Sequence, residues 1–173
     1  MREKTRNSGR IRKIESKMLK NFKICFGILF ILLIVCCNTN EIFDKTYSFS
    51  SDNWNHDQVV DFEFTVSDTA RPYDLYLQLR NSGVYSYSNI WLFVETLAPN
   101  GNLLRDTLEI TLADNTGRWL GKGIGNLNEM QVPYKQNVYF INRGIFKVSI
   151  QHAMRDSTLN GIMDIGFRLQ YHK

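Results

Sequence analysis

Val60-Asp61-Phe62-Glu63-Phe64-Thr65-Val66-Ser67 places an apolar residue at every even position and a polar one at every odd position. Successive side chains of an extended chain point to opposite faces, so the stretch reads as a strand with one face in a core and the other in water. The same period of two returns in Leu75, Leu77 and Leu79 against Asp74, Gln78 and Arg80, and in Leu108, Ile110 and Leu112 against Thr107, Glu109 and Thr111. It recurs in Phe146, Val148 and Ile150 against Lys147, Ser149 and Gln151, and in Ile165, Phe167 and Leu169 against Asp164, Gly166 and Arg168. Residues 43–49, 89–97 and 136–141 are weaker strand candidates. Trp91 lies among Ile90, Leu92, Phe93 and Val94, where both faces are apolar, and is expected to be buried.

Turn chemistry falls between these runs. Pro99-Asn100-Gly101 separates 89–97 from 103–112 as a hairpin signal, because Asn-Gly accepts positive φ; Asn142-Arg143-Gly144 and Asn160-Gly161 punctuate the later pairs. Beyond residue 40 no window of about 12 residues sustains helical spacing of apolar groups. The expected fold is all-β, roughly eight or nine antiparallel strands in a two-sheet, jelly-roll-like β-sandwich over 43–173, with an open barrel as the alternative. A chain of 173 residues, 43% apolar and 13% aromatic, has room for one such core and not for two.

The net charge of +4 does not describe that domain. Nine of the 21 Lys and Arg lie within the first 36 residues against only Glu3 and Glu15, leaving 12 basic and 15 acidic residues for 37–173. No basic face remains to argue for nucleic acid. The amino-terminal cations instead lead, through Lys20 and Lys23, into the apolar run Ile24 to Val35, after which come Cys36, Cys37 and polar Asn38-Thr39-Asn40. A core of about a dozen apolar residues suits a signal peptide, whereas a membrane span needs about 20. Met18-Leu19-Lys20-Asn21-Phe22-Lys23 is already an adequate cationic lead, so Met18 is an alternative start.

Ile34-Val35-Cys36-Cys37 resembles the cleavage site of bacterial lipoproteins, in which the cysteine after a small residue becomes the lipid-bearing first residue. Cys37 is the expected lipidation site, ahead of Cys36, with 1–36 the signal peptide and 37–42 an acylated tether. Several acyl chains on one residue hold a membrane stably where one chain does not. The mature chain then keeps only the acylated Cys37, so its core must hold without an internal disulfide.

Two stretches depart from the alternation, and such departures are where function tends to reside. One runs from Arg80-Asn81-Ser82-Gly83 through Tyr85, Tyr87 and Asn89 to Trp91; the other from Leu112-Ala113-Asp114 through Trp119 to Gly121-Lys122-Gly123-Ile124-Gly125. The patterns R-N-x(3)-Y-x-Y-S-N-x-W and L-A-D-x-x-G-x-W-x-G-x-G-x-G, with a later Met154-Arg155, resemble the GldH family across roughly 41–171. That resemblance implies a lipoprotein of gliding Bacteroidetes, needed for surface motility and associated with the envelope apparatus that supports type IX secretion, without established catalytic activity. It implies envelope proteins as partners. Asn38-Thr39-Asn40-Glu41 lacks the acidic and basic clustering of a surface-export signal, which favours the periplasmic side of the outer membrane.

The remaining motifs carry weaker chemistry. Gly121 to Gly125 fits neither G-x-G-x-x-G opening a helix nor a P-loop, and reads better as glycine-rich backbone packed under Trp119. His56, His152 and His172 lie far apart in sequence, and His152 is expected to be a satisfied core or edge imidazole, so no metal, cofactor or catalytic set is expected. A small-molecule ligand is not favoured, although Tyr85, Tyr87, Trp91 and Trp119 could stack sugar rings while Asn81 and Asn89 bind hydroxyls. The expected interaction surface comprises Arg80, Asn81, Tyr85, Tyr87, Asn89, Trp119 and Arg155, aromatics and arginine being the usual hot spots of protein contacts. Arg80 pairing with Asp114 to pin the two loops is the structural alternative.

Cys37→Ser should abolish acylation and leave an uncleaved or mislocalised precursor, as read by palmitate labelling and fractionation; labelling that survives this change but disappears with Cys36→Ser would move the cleavage site by one residue.

Overall fold

The computed structural model describes residues 41–173, which form one compact unit; the signal region, Cys37 and residues 38–40 lie outside the described residues. Ten strands follow one another: β1 (Glu41–Ser48), β2 (Asn53–Asn55), β3 (Val60–Val66), β4 (Tyr73–Ser82), β5 (Asn89–Leu97), β6 (Leu103–Thr111), β7 (Leu127–Val138), β8 (Gly144–His152), β9 (Thr158–Asn160) and β10 (Ile162–Tyr171). Each pairs antiparallel with its mirror image in the chain: β1 with β10, β2 with β9, β3 with β8, β4 with β7 and β5 with β6. The chain is thus one long hairpin, rolled up. Two further ladders, β10 to β4 and β5 to β8, close the roll into the sheets β1-β10-β4-β7 and β3-β8-β5-β6, with β2-β9 as a separate ribbon. That is a jelly-roll sandwich.

The tip of the long hairpin is the Pro99-Asn100-Gly101 turn. The Gly101 N–H donates to the Ala98 carbonyl at 2.9 Å, and the Ala98 N–H to the Asn102 carbonyl at 2.9 Å. Gly101 takes φ +85° while Asn100 does not enter the positive region. Proline therefore sets a type I turn and glycine the left-handed residue after it, the three-residue form rather than the two-residue Asn-Gly form.

Alternation sets the core. In β3, Val60, Phe62, Phe64 and Val66 are buried and the residues between them exposed. Phe64 bridges the sheets, its ring 5.4 Å from Phe167 of β10, 5.7 Å from Phe146 of β8 and 5.9 Å from Phe43 of β1. Phe140 closes this cluster from the β7–β8 loop, 4.7 Å from Phe146 and 5.1 Å from Tyr73.

Three expectations need correction. The candidate strand 136–141 is the tail of β7, which begins at Leu127. Pro133 masks this strand in the sequence; it is tolerated because β7 is the edge of its sheet and needs no donor on its open side, and the ladder skips Tyr134, pairing Leu75 with Lys135 and Tyr76 with Pro133. The expected tether 37–42 overlaps β1, whose pairing begins with Glu41 opposite Gln170. His56 and His152, distant in sequence, come together with rings 5.3 Å apart.

His152 is fully buried against Trp54, and neither ring nitrogen completes a hydrogen bond among the described residues. Burial, then the neighbouring His56, pushes its pKa down to about 4 from 6.5. The unfolded chain therefore takes up this proton first, and the fold loses stability as pH falls from 6.5 towards 4, on the order of 2 kcal/mol by pH 5. Melting temperature should fall over that window, and His152→Leu should flatten the fall. Phe64→Ala should cost about 3–5 kcal/mol in denaturant unfolding, and exposed Glu63→Ala under about 0.5.

Candidate functional site

The rolled hairpin sends its connections to two opposite ends, and both irregular segments meet at the end away from residue 41. The Ser88 carbonyl accepts the N–H groups of Leu112 (2.7 Å) and Ala113 (3.0 Å), joining the two loops through backbone. Side chains of the first loop divide between core and solvent. Tyr85 turns inward, its hydroxyl donating to the Asn89 carbonyl at 2.9 Å, and burial pushes its phenol pKa well up. Tyr87 stays exposed, its ring 5.7 Å from Tyr85. Its hydroxyl donates to Asp156 at 2.6 Å, and this bond to a carboxylate raises its pKa.

Tyr87 and Asn89 share an open depression of about 600 Å³ with Trp91, Met154, Arg155 and Asp156. The Trp91 N–H reaches the Met154 sulfur at 3.3 Å, and its carbonyl accepts the Ala153 N–H at 2.7 Å, so the 153–156 segment is clamped to β5. Trp91 is 39% exposed, which corrects the expectation of burial. Ile90, Leu92 and Val94 face the core and Trp91 and Phe93 face water. Asn89 is oriented by donating to Glu109 at 2.6 Å. Arg155 is exposed and forms no ion pair among the described residues.

Tyr87, Asn89 and Arg155 are thus brought together, with buried Tyr85 beneath them, whereas Arg80, Asn81 and Trp119 lie apart. Arg80 and Asn81 belong to β4, not to a loop. Asn81 is buried, and Arg80 pairs with Asp164, which Ser48 also engages. Arg80, Asp164 and Ser48, with Glu129 and Gln78, line a cavity of about 280 Å³ on the outer face of the β1-β10-β4-β7 sheet. The Arg80–Asp114 pairing does not form. Asp114 is satisfied inside its own loop by Thr116 and Arg118, whose hydrogen bonds hold its carboxyl below the usual range. Trp119 is half-buried against the core and bridges Ala113.

The glycine-rich run packs against β7. Lys122 and Glu129 exchange backbone hydrogen bonds at 2.8 and 2.7 Å. A Cβ on Gly123 would lie 1.7 Å from the Leu127 carbonyl oxygen, so the close backbone crossing itself demands glycine. Trp91, Ala153, Met154 and Asp156 line the depression without having been expected on the interaction surface. Parity separates Trp91 from Ile90, Leu92 and Val94 but does not say which of the two apolar faces is covered. Among the described residues no group of three or more His, Cys, Asp or Glu is placed to hold a metal ion, and no helix is long and apolar enough to cross a membrane.

Comparison with known proteins agrees with the motifs. A carbohydrate-binding module specific for non-crystalline cellulose superposes with a TM-score of 0.42 at 8% identity, covering 75% of this chain and 73% of that one. The gliding motility lipoprotein GldH homolog of Christiangramia forsetii is 37% identical over 160 residues, spanning 88% of this chain and 98% of its own length. The gliding motility lipoprotein GldH of Flavobacterium johnsoniae is 35% identical over 153 residues, 83% of this chain and 94% of its own. Residues 41–169 match the family described as GldH lipoprotein, and the chain belongs to that family.

Proposed function

We propose that this lipoprotein is a non-catalytic component of the gliding-motility and type IX secretion-associated envelope machinery, anchored through Cys37 at the periplasmic side of the outer membrane and working through protein contacts. The relatives in Christiangramia forsetii and Flavobacterium johnsoniae carry gliding motility in their names, which supports the process. The observation that carries the contact surface is the depression of Tyr87, Asn89, Trp91, Met154 and Arg155, where exposed aromatics and an uncommitted arginine sit on a clamped, pre-ordered frame. Aromatic and arginine side chains held rigid lose little entropy on binding and supply large contact area. Arg155 suits a carboxylate or an aromatic face on the partner.

The side-by-side exposure of Trp91 and Tyr87 also favours a second reading, a module that stacks sugar rings and uses Asn89 for hydroxyls. In that reading immobilised glycans retain the protein; in the first, live-cell crosslinking from this end captures envelope proteins.

Tyr87→Ala and Arg155→Ala, made separately, should each impair motility or secretion in cells while leaving the melting temperature within about 2–4 °C of the parent, the range that corresponds to roughly 1 kcal/mol or less. A large fall in melting temperature for both, or unaltered motility and secretion, would return these residues to the fold.

A further inference from the structure

The end of the sandwich where β1 begins differs in character from the distal depression. Tyr139, Phe140 and Ile141 connect β7 to β8 there, and the three diverge. Phe140 is buried in the core cluster, while Tyr139 and Ile141 are 58% and 93% exposed on either side of it. The buried ring pins the loop, so its neighbours are displayed rather than free to fold back. Leu103 and Leu104, both half exposed after the hairpin tip, join them around an apolar cavity of about 370 Å³. An exposed apolar cluster of this kind marks a surface that something covers.

Charge at this end is outwardly cationic. Arg143, two residues past Ile141, is exposed, as is Lys173. The neighbouring carboxylates are engaged: Glu41 by Arg168 at 3.2 Å, Asp74 by His172 at 2.8 Å and by the Asn137 N–H at 3.0 Å, and Asp68 by the Ala70 N–H at 2.9 Å. Three residues separate Cys37 from Glu41, and a chain of that length spans at most about 14 Å. The distal depression begins a full strand away, about 30 Å for the nine residues of β5. The tethered end alone stays within reach of the surface that holds the anchor.

We propose that this tip is a membrane-docking surface: Tyr139 and Ile141 enter the interface of the bilayer that holds the acylated Cys37, with Arg143 at its anionic headgroups. Tyrosine beside an aliphatic residue, flanked by cations, is the composition that partitions to a lipid interface. Docking would fix the orientation of the sandwich and point the Tyr87–Arg155 depression away from the membrane. The proposal rests on acylation of Cys37, and its test separates the two.

Once Cys25 and Cys36 leave with the signal and Cys37 is acylated, Ile141→Cys supplies one free thiol. The full chain, purified from membranes with acylation verified by mass, is labelled there with an environment-sensitive nitrobenzoxadiazole dye. It is then reconstituted into phosphatidylethanolamine–phosphatidylglycerol vesicles. The dye should brighten several-fold, shift to the blue and be quenched by spin-labelled lipid, whereas the same dye at Val84→Cys, at the distal end, should do neither. An acylated protein whose position 141 is as wet as position 84 overturns the docking and leaves the anchor intact. If position 141 is shielded in native envelopes but wet in lipid vesicles, the tip covers a protein, which equally overturns it. An unacylated Cys37 removes anchor and docking together.

Discussion

The two sheets depend on one interaction, the face of Phe64 against Phe167. Phe64 sits in β3 and Phe167 in β10, so their contact at 5.4 Å joins the sheet that contains the first and last strands to the sheet that contains the hairpin tip. Phe43, Phe140 and Phe146 surround the pair. Aromatic rings bury large areas and prefer the offset and tilted geometries found here. Residues 41–173 contain no cysteine, so packing of this kind, without a disulfide, is what resists unfolding there. Because β1, β3, β8 and β10 all contribute, partial unrolling of the long hairpin from either end would break the same cluster.

The mirror pairing of β1 with β10 through β5 with β6 has a functional consequence. Rolling a single hairpin places the first strand's start and the hairpin tip at one end, and the loops 83–88, 112–126 and 153–157 at the other. The domain thereby acquires an end next to residue 41 and a distal end from topology alone. The irregular loops are free to specialise because the strands that launch them are fixed by ladders on both sides, as β5 is by β6 and β8. Clamping of 153–156 to Trp91 extends that rigidity into the loops.

Polar side chains on the outer face of the first sheet obey the same parity. Ser48, Asp164, Arg80 and Glu129 lie across four adjacent strands at matching register positions, and Asp164 is buried there only because Arg80 and Ser48 meet it. A buried carboxylate without such partners would be costly. Gly166 lies beside them under the Gln78 side chain, whose amide oxygen would stand 2.5 Å from a Cβ there and would have to swing aside. Arg80 therefore reads as part of the sheet and not as a free cation of the distal surface.

Local order along the chain was enough to establish that Val60 to Ser67 is a strand with Phe62 and Phe64 inward, that Pro99 to Gly101 turns the chain, and that the fold is an all-β sandwich. Each of those follows from neighbours within a few residues, through side-chain parity or turn dihedrals. Tertiary structure alone decided which strand ran past Pro133, since an edge position excuses the missing donor. It decided that Tyr85 fills the core while Trp91 stands in water, because in a run apolar on both faces parity says only that the two faces differ. Which face is covered depends on the opposite sheet, and that sheet is assembled from β1, β4, β7 and β10, strands scattered along the whole domain. The same reason hid the Arg80–Asp164 pair, the meeting of His56 with His152, and the gathering of Tyr87, Asn89 and Arg155 around Met154, all of which join segments that only the rolled hairpin brings into contact.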